Sequence, residues 1–221
     1  MAEAKAEKKN RTRIKICGLT RAEDVETAAR LGADYLGFIL AESPRRIAPE
    51  RIAAITAGLS GPAKKLGVFV DAPVDEVVGA VEVAGLDLVQ LHGAENEDYA
   101  NRLTAAGIEF IKVFRLGSGQ RPPTAAFPGA AALLFDTFLP GVAGGAGKSF
   151  DWSLVAGWTG SQFFLAGGLN PENVALALGR TRPFGVDVSS GVETAPGIKD
   201  PEKMKRFITA VRAHDKQIKG E

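Results

Sequence analysis

Short apolar runs alternate with longer amphipathic stretches along almost the whole chain. Segments rich in Val, Ile, Leu and Phe recur at 14–17, 35–40, 66–70, 88–91, 110–114, 132–136, 163–166 and 185–188. Brief apolar runs bounded by turn-forming residues read as buried strands. Between them, apolar positions fall at helical spacing over 21–31, 49–59, 73–84, 96–106, 173–179 and 201–214. Strands that alternate with helices build a parallel sheet covered on its faces. Eight candidate strands at fairly even spacing, with no shift of composition to mark a second domain, predict an α/β fold. The expected architecture is a single-domain (β/α)8 TIM barrel over 11–221. A doubly wound open sheet is the alternative. The fifth and sixth units are the weak ones, because 117–128 is rich in Gly and Pro and 152–157 leaves room for a turn or two only.

Three local signals punctuate the helices. Thr20 with Glu23 has the form of a capping box, and Asn170-Pro171-Glu172 and Asp200-Pro201-Glu202 each set a cap residue before a proline at the first helical position.

Composition narrows the class. Of 221 residues, 45% are hydrophobic and 24% charged, with 26 glycines, which suits a sizeable core with many tight connections. Lys+Arg of 27 against Asp+Glu of 26 leave a net charge of +1 and no basic block to track nucleic acid, so an anionic ligand must be held locally. A single cysteine forms no internal disulfide, and no apolar run reaches the ~20 residues of a membrane span. A cytoplasmic location fits best. Residues 1–10, rich in Ala, Glu and Lys, read as a frayed, solvated tail outside the fold. Monomer and homodimer are both open, since apolar residues on outer helices serve either.

In a closed barrel the chemistry collects where the strands end. Cys17 ends the first run and is followed by Gly18, which lets the backbone turn beneath the thiol. A thiolate is a competent base if its surroundings are electropositive; otherwise a lone cysteine is a small buried hydrophobe. Asp136 closes the sixth run, Leu133-Leu134-Phe135, where burial would raise its pKa as a general acid requires; it reads equally as a cap for the loop that follows. The first and sixth strands lie across a barrel from each other, so the two groups can address opposite sides of one substrate. Gly167 and Gly168 follow the seventh run, and Ser189, Ser190 and Gly191 the eighth. Paired glycines and hydroxyls at these loops suit a phosphate. Arg45 and Arg46 follow the second run, where one guanidinium can pair with a carboxylate. Gln90 and His92 bracket the end of the fourth; the histidine reads first as a hydrogen-bonded structural group. The Gly144-Gly145-Ala146-Gly147-Lys148-Ser149 segment is not a nucleotide-binding P-loop, because Val142 stands where that motif needs glycine. Its glycines suit a lid closing over substrate. No His/Cys/Asp grouping has metal-ligand spacing, so no metal is expected.

Several of these segments resemble the phosphoribosylanthranilate isomerase family of tryptophan biosynthesis. They are Lys15-Ile16-Cys17-Gly18-Leu19-Thr20, Gly32-Ala33-Asp34-Tyr35-Leu36-Gly37-Phe38, Gln90-Leu91-His92-Gly93, Phe135-Asp136-Thr137, the stretch from Gly167 to Val174 and the stretch from Val186 to Glu193. Each falls, in order, at the end of the expected strand. The resemblance implies an Amadori rearrangement of N-(5-phosphoribosyl)anthranilate to 1-(2-carboxyphenylamino)-1-deoxyribulose 5-phosphate without a cofactor. It implies Asp136 as general acid on the ring oxygen and Cys17 as general base at C2. It further implies Arg45 on the anthranilate carboxylate, Gln90 and Asp187 as polar groups of the cavity, and phosphate at the loops after strands seven and eight. Ala146 stands where the family's lid commonly carries a Thr or Ser hydroxyl, and Ser149 where Thr is common. Two other readings remain. A related phosphosugar enzyme such as an indole-glycerol-phosphate synthase would need a catalytic lysine at a strand end, for which Lys112 is the candidate. A phosphate-binding protein that has lost catalysis would not need to keep both Cys17 and Asp136.

Overall fold

The structure, a computed structural model, describes residues 11–117, 122–123, 127–137 and 152–220. The expected tail at 1–10 and nearly all of the expected lid at 137–150 lie outside the described residues. Eight parallel strands close on themselves: β1 (Arg13–Ile16), β2 (Tyr35–Ile39), β3 (Lys64–Phe69), β4 (Leu88–Leu91), β5 (Phe110–Leu116), β6 (Ala132–Thr137), β7 (Phe163–Leu165) and β8 (Gly185–Val188). The ring closes where Lys15 pairs with Asp187 between β1 and β8. The open-sheet alternative is thereby excluded.

Six helices are described: α1 (Ala22–Leu31), α2 (Pro49–Thr56), α3 (Val74–Ala84), α4 (Glu97–Ala105), α5 (Val174–Thr181) and α6 (Pro201–Lys219). They follow β1, β2, β3, β4, β7 and β8, and among the described residues of the sixth unit there is the short 3-10 turn Trp152–Leu154. Period-2 alternation divides every strand between two cores. Leu66, Val68, Leu88, Ile111, Val113, Ala132, Leu134 and Phe164 fill the barrel interior. Ile14, Ile16, Leu36, Phe38, Phe110, Leu133, Phe135, Val186 and Val188 point outward, where Val25, Val77, Leu103, Val174 and Phe207 of the helices cover them.

Three local expectations change. The capping box at Thr20 does not form. Arg21 occupies the N-cap of α1 without a side-chain bond, and the Thr20 hydroxyl donates to Gly197 O at 2.6 Å. Its partner is far away in sequence, in a hairpin of β9 (Glu193–Ala195) and β10 (Ile198–Lys199), strands too short to leave a periodic signal. Asn170 caps a turn, accepting from the amides of Glu172 and Asn173, and α5 begins only at Val174. Asp200 caps α6 as expected, through the amides of Glu202 and Lys203, but that helix continues past His214 to Lys219. Arg212 ties it to the barrel floor, donating to Thr12 O, Gly32 O and Asp34 Oδ2.

Candidate active site

One cavity of about 420 Å³ opens at the C-terminal mouth of the barrel. It is lined by Cys17, Gln90, His92, Arg115, Asp136, Asp187 and the loops Gly167–Leu169 and Ser189–Gly191. A larger cavity of about 640 Å³ lies at the opposite end, among Thr12, Gln162 and Phe184. Those residues precede their strands, at the face where a barrel carries stability and not chemistry. The mouth cavity is therefore the candidate site, although it is smaller.

Alternation along β1 aims Lys15 and Cys17 inward between the outward Ile14 and Ile16. Cys17 is buried, and burial pushes its thiol above the ordinary value; Lys15, by its charge and a hydrogen bond, acts in the opposite direction. Lys15 has no exposed surface, and its Nζ lies 2.9 Å from Asp187 Oδ2. Burial pulls this ammonium down, but Asp187 and Cys17 outweigh it and hold the group above its usual range. Among the described residues, Asp187 Oδ1 is buried without a hydrogen-bond partner, as are Gln90 Oε1 and Ser189 Oγ. Buried polar atoms are nearly always paired, so unpartnered ones lining a cavity mark places for ligand groups.

Asp136 sits at the end of β6, with 26% of its side chain exposed, so it is less buried than its place after an apolar run suggests. His92 Nε2 stands 3.5 Å from Asp136 Oδ2, and Gln90 Nε2 lies 3.0 Å from His92 Nδ1. With the amide donating to Nδ1, the imidazole proton is left on Nε2, facing the carboxylate. The sequence casts His92 as a structural group; here it joins two candidate site residues. Arg115, on β5 in register with Asp136, adds a cation to the rim.

The loops after β7 and β8 meet. Gly167 and Gly168 have φ of 86° and 65°, which favours glycine, and a Cβ on Gly191 would stand 1.9 Å from Leu169 O. Only glycine permits this contact, and the result is a concave lining of backbone amides and the Ser189 and Ser190 hydroxyls.

Arg45 is the one expected site residue that does not line the cavity. Its Nε and Nη2 donate to Glu193 at 2.8 and 2.7 Å, in the bidentate geometry the sequence suggested for a substrate carboxylate. Lys199 Nζ also reaches Glu193, at 2.7 Å, and donates to Cys17 O at 2.5 Å. Burial would push the Glu193 carboxyl up, but hydrogen bonds from Arg45 and Lys199 hold it below the ordinary value. Lys15, Glu193, Lys199 and Arg115 are absent from the sequence-based candidates. The mid-strand charges in Ile14-Lys15-Ile16 and Val186-Asp187-Val188 were the available signal for the first. Lys112 faces out of the barrel between Phe110 and Phe114 on β5 and pairs with Glu95 at 2.7 Å, so it cannot serve as a synthase lysine at the mouth.

The family model for N-(5'-phosphoribosyl)anthranilate isomerase matches residues 14–210. The chain belongs to the phosphoribosylanthranilate isomerase family. A relative of that name from Pseudomonas fluorescens (strain Pf0-1) is 43% identical over 208 residues, covering 90% of this chain and 98% of the relative. The crystal structure of phosphoribosyl anthranilate isomerase from Thermus thermophilus superposes with a TM-score of 0.81 at 39% identity, covering 91% of this chain and 99% of that one. A further isomerase of the family, solved in complex with reduced 1-(o-carboxyphenylamino)-1-deoxyribulose 5-phosphate, has a TM-score of 0.79 at 34% identity, over 91% of this chain and 99% of that one. The family comprises isomerases of tryptophan biosynthesis; of the motifs that carried the resemblance, those holding Cys17, Gln90, Asp136, Gly167 and Ser189 lie at the barrel mouth, whereas 32–38 enters β2 from the opposite end.

Proposed function

We propose that this isomerase rearranges N-(5-phosphoribosyl)anthranilate to 1-(2-carboxyphenylamino)-1-deoxyribulose 5-phosphate with Asp136 as general acid and Cys17 as general base. Asp136 protonates the furanose ring oxygen, the C1–O bond breaks, and the anthranilate nitrogen lone pair forms the Schiff base. Cys17, as thiolate, then takes the proton from C2, and the electrons of that C–H bond run into the imine to give an enolamine. Tautomerisation to the ketone completes the reaction without an external co-reactant. The observation that carries this reading is the single cavity that brings Cys17 on β1, Asp136 on β6 and the two glycine-serine loops together.

The remaining roles follow from placement. His92, facing Asp136, orients the acid, and Gln90 fixes the imidazole. Gly167, Gly168, Ser189, Ser190 and Gly191 hold the phosphate through backbone amides and hydroxyls. Asp187 Oδ1 and Gln90 Oε1 accept hydrogen bonds from substrate hydroxyls. Arg45 is assigned to the anthranilate carboxylate by the family resemblance and not by placement, since it lies outside the cavity lining and its Nε and Nη2 are held by Glu193. We assign the enzyme to the cytoplasm, as a monomer or homodimer that needs no cofactor.

Purified protein should consume phosphoribosylanthranilate, followed by its fluorescence. Asp136→Asn should lose nearly all turnover while binding a reduced product analogue with affinity close to wild type. Full activity in that variant would remove Asp136 from the role of acid.

A further inference from the structure

The lysine buried inside the barrel is unused by the mechanism above, although it shares an inward face with the proposed base. We propose that Lys15 is a positioning residue for the reaction, holding the Cys17 thiolate by charge and hydrogen bond, with Asp187 setting how much of that charge the sulfur receives. The inference rests on the reading of Cys17 as the base.

The geometry carries it. Residues two apart on a strand share a face, so Lys15 and Cys17 both point into the barrel. A Cβ at position 37 would lie 3.0 Å from Cys17 Sγ and 3.1 Å from Lys15 Cε. Glycine on the neighbouring strand thus leaves one small volume to the sulfur and the lysine stem together. Lys15 Nζ carries three donors. Asp187 Oδ2 takes one, at 2.9 Å, which leaves two for other acceptors. With no exposed surface, the ammonium acts on the sulfur through protein and not through screening water.

The other charges around Cys17 do less. Lys199, from β10, binds the Cys17 carbonyl oxygen, and Arg45, from the loop after β2, is held by Glu193, which also takes Lys199. Asp187, from β8, opposes ionisation of the sulfur, and Asp136 faces the same cavity from across the mouth. A buried thiol resists ionising. Lys15 offsets that resistance. It is already cationic, so the thiol proton passes to water at the mouth and not to the lysine, and the thiolate left behind is the species that takes the C2 proton.

Because Cys17 is the sole cysteine, thiolate ultraviolet absorbance titrated against pH, with Cys17→Ser as baseline, reads this sulfur alone. Lys15→Met should raise the titration midpoint by about one pH unit or more, leaving roughly tenfold less thiolate at a given pH below it. Its kcat should fall about tenfold, with KM nearly unchanged and the pH–rate profile displaced by the same interval. Asp187→Asn should move the midpoint down, the opposite direction, and decides the question if Lys15→Met fails to fold. A midpoint that stays at the wild-type value in Lys15→Met, or that does not fall in Asp187→Asn, overturns the proposal. Failure of the wild-type enzyme to turn over phosphoribosylanthranilate would instead overturn the functional reading, and the midpoints would still decide the link between Lys15 and the sulfur.

Discussion

Two buried lysine–carboxylate pairs sit on opposite faces of the same sheet, and they are built differently. Outside the barrel, Lys112 reaches Glu95 at 2.7 Å and Gly93 O at 2.8 Å, while Glu95 also accepts from the amides of Asp71 and Gly93. Both carboxylate oxygens are occupied, and the pair clamps the loops after β3 and β4 to β5. Inside the barrel, Lys15 reaches Asp187 at 2.9 Å, but Asp187 Oδ1 has no partner among the described residues and the lysine stem shares its volume with a thiol. A fully satisfied buried network rigidifies; one left open at a cavity costs stability unless a ligand completes it. The outward pair serves the fold and the inward pair the chemistry.

The largest effect should come from removing the inward base itself. Cys17→Ser should lower turnover by roughly 10²- to 10⁴-fold, because a hydroxyl is a far poorer base, with an unchanged circular dichroism spectrum. A loss below about tenfold, or ~1.4 kcal/mol of barrier, would make the thiol a bystander. On the outward side, Lys112→Met leaves Glu95 buried and uncompensated, and urea unfolding should show a loss of about 3 kcal/mol. A smaller stability loss there than in a surface variant such as Lys205→Met would break the contrast.

The pH dependence comes next. Burial pushes the Cys17 thiol up, so at neutral pH only a minor fraction is thiolate. In the wild type the ultraviolet absorbance of the thiolate should therefore develop mainly above the ordinary thiol value near 8.5. A titration complete below that value would show a sulfur held ionised by its surroundings. The smallest effect is expected at Arg45. Arg45→Lys loses the planar fork, and KM should rise about tenfold with kcat within about twofold.

Much of this arrangement was legible in the sequence. The strands were found because apolar runs with a period of two are local, and Cys17, Asp136 and the two glycine-serine loops were found because they stand where those runs end. The two lysines show where local reading stops. Alternation separates Phe110, Lys112 and Phe114 from Ile111, Val113 and Arg115, but which set faces inward depends on closure of the barrel, a property of all eight strands together. Lys15 carries no local signal of its partner for the same reason, since Asp187 is brought beside it only by the pairing of β1 with β8. The Thr20 hydroxyl likewise went to Gly197, and Arg45 went to Glu193, both through a hairpin of three- and two-residue strands that no periodicity announces.

The most direct test compares the two lysines by turnover. Lys15→Met and Lys112→Met are assayed side by side for loss of phosphoribosylanthranilate fluorescence, at a temperature where circular dichroism shows both folded. Turnover should fall about tenfold or more in Lys15→Met and stay within about twofold of wild type in Lys112→Met. Equal losses in the two, or the greater loss in Lys112→Met, would contradict the division between an inward pair that serves the chemistry and an outward pair that serves the fold.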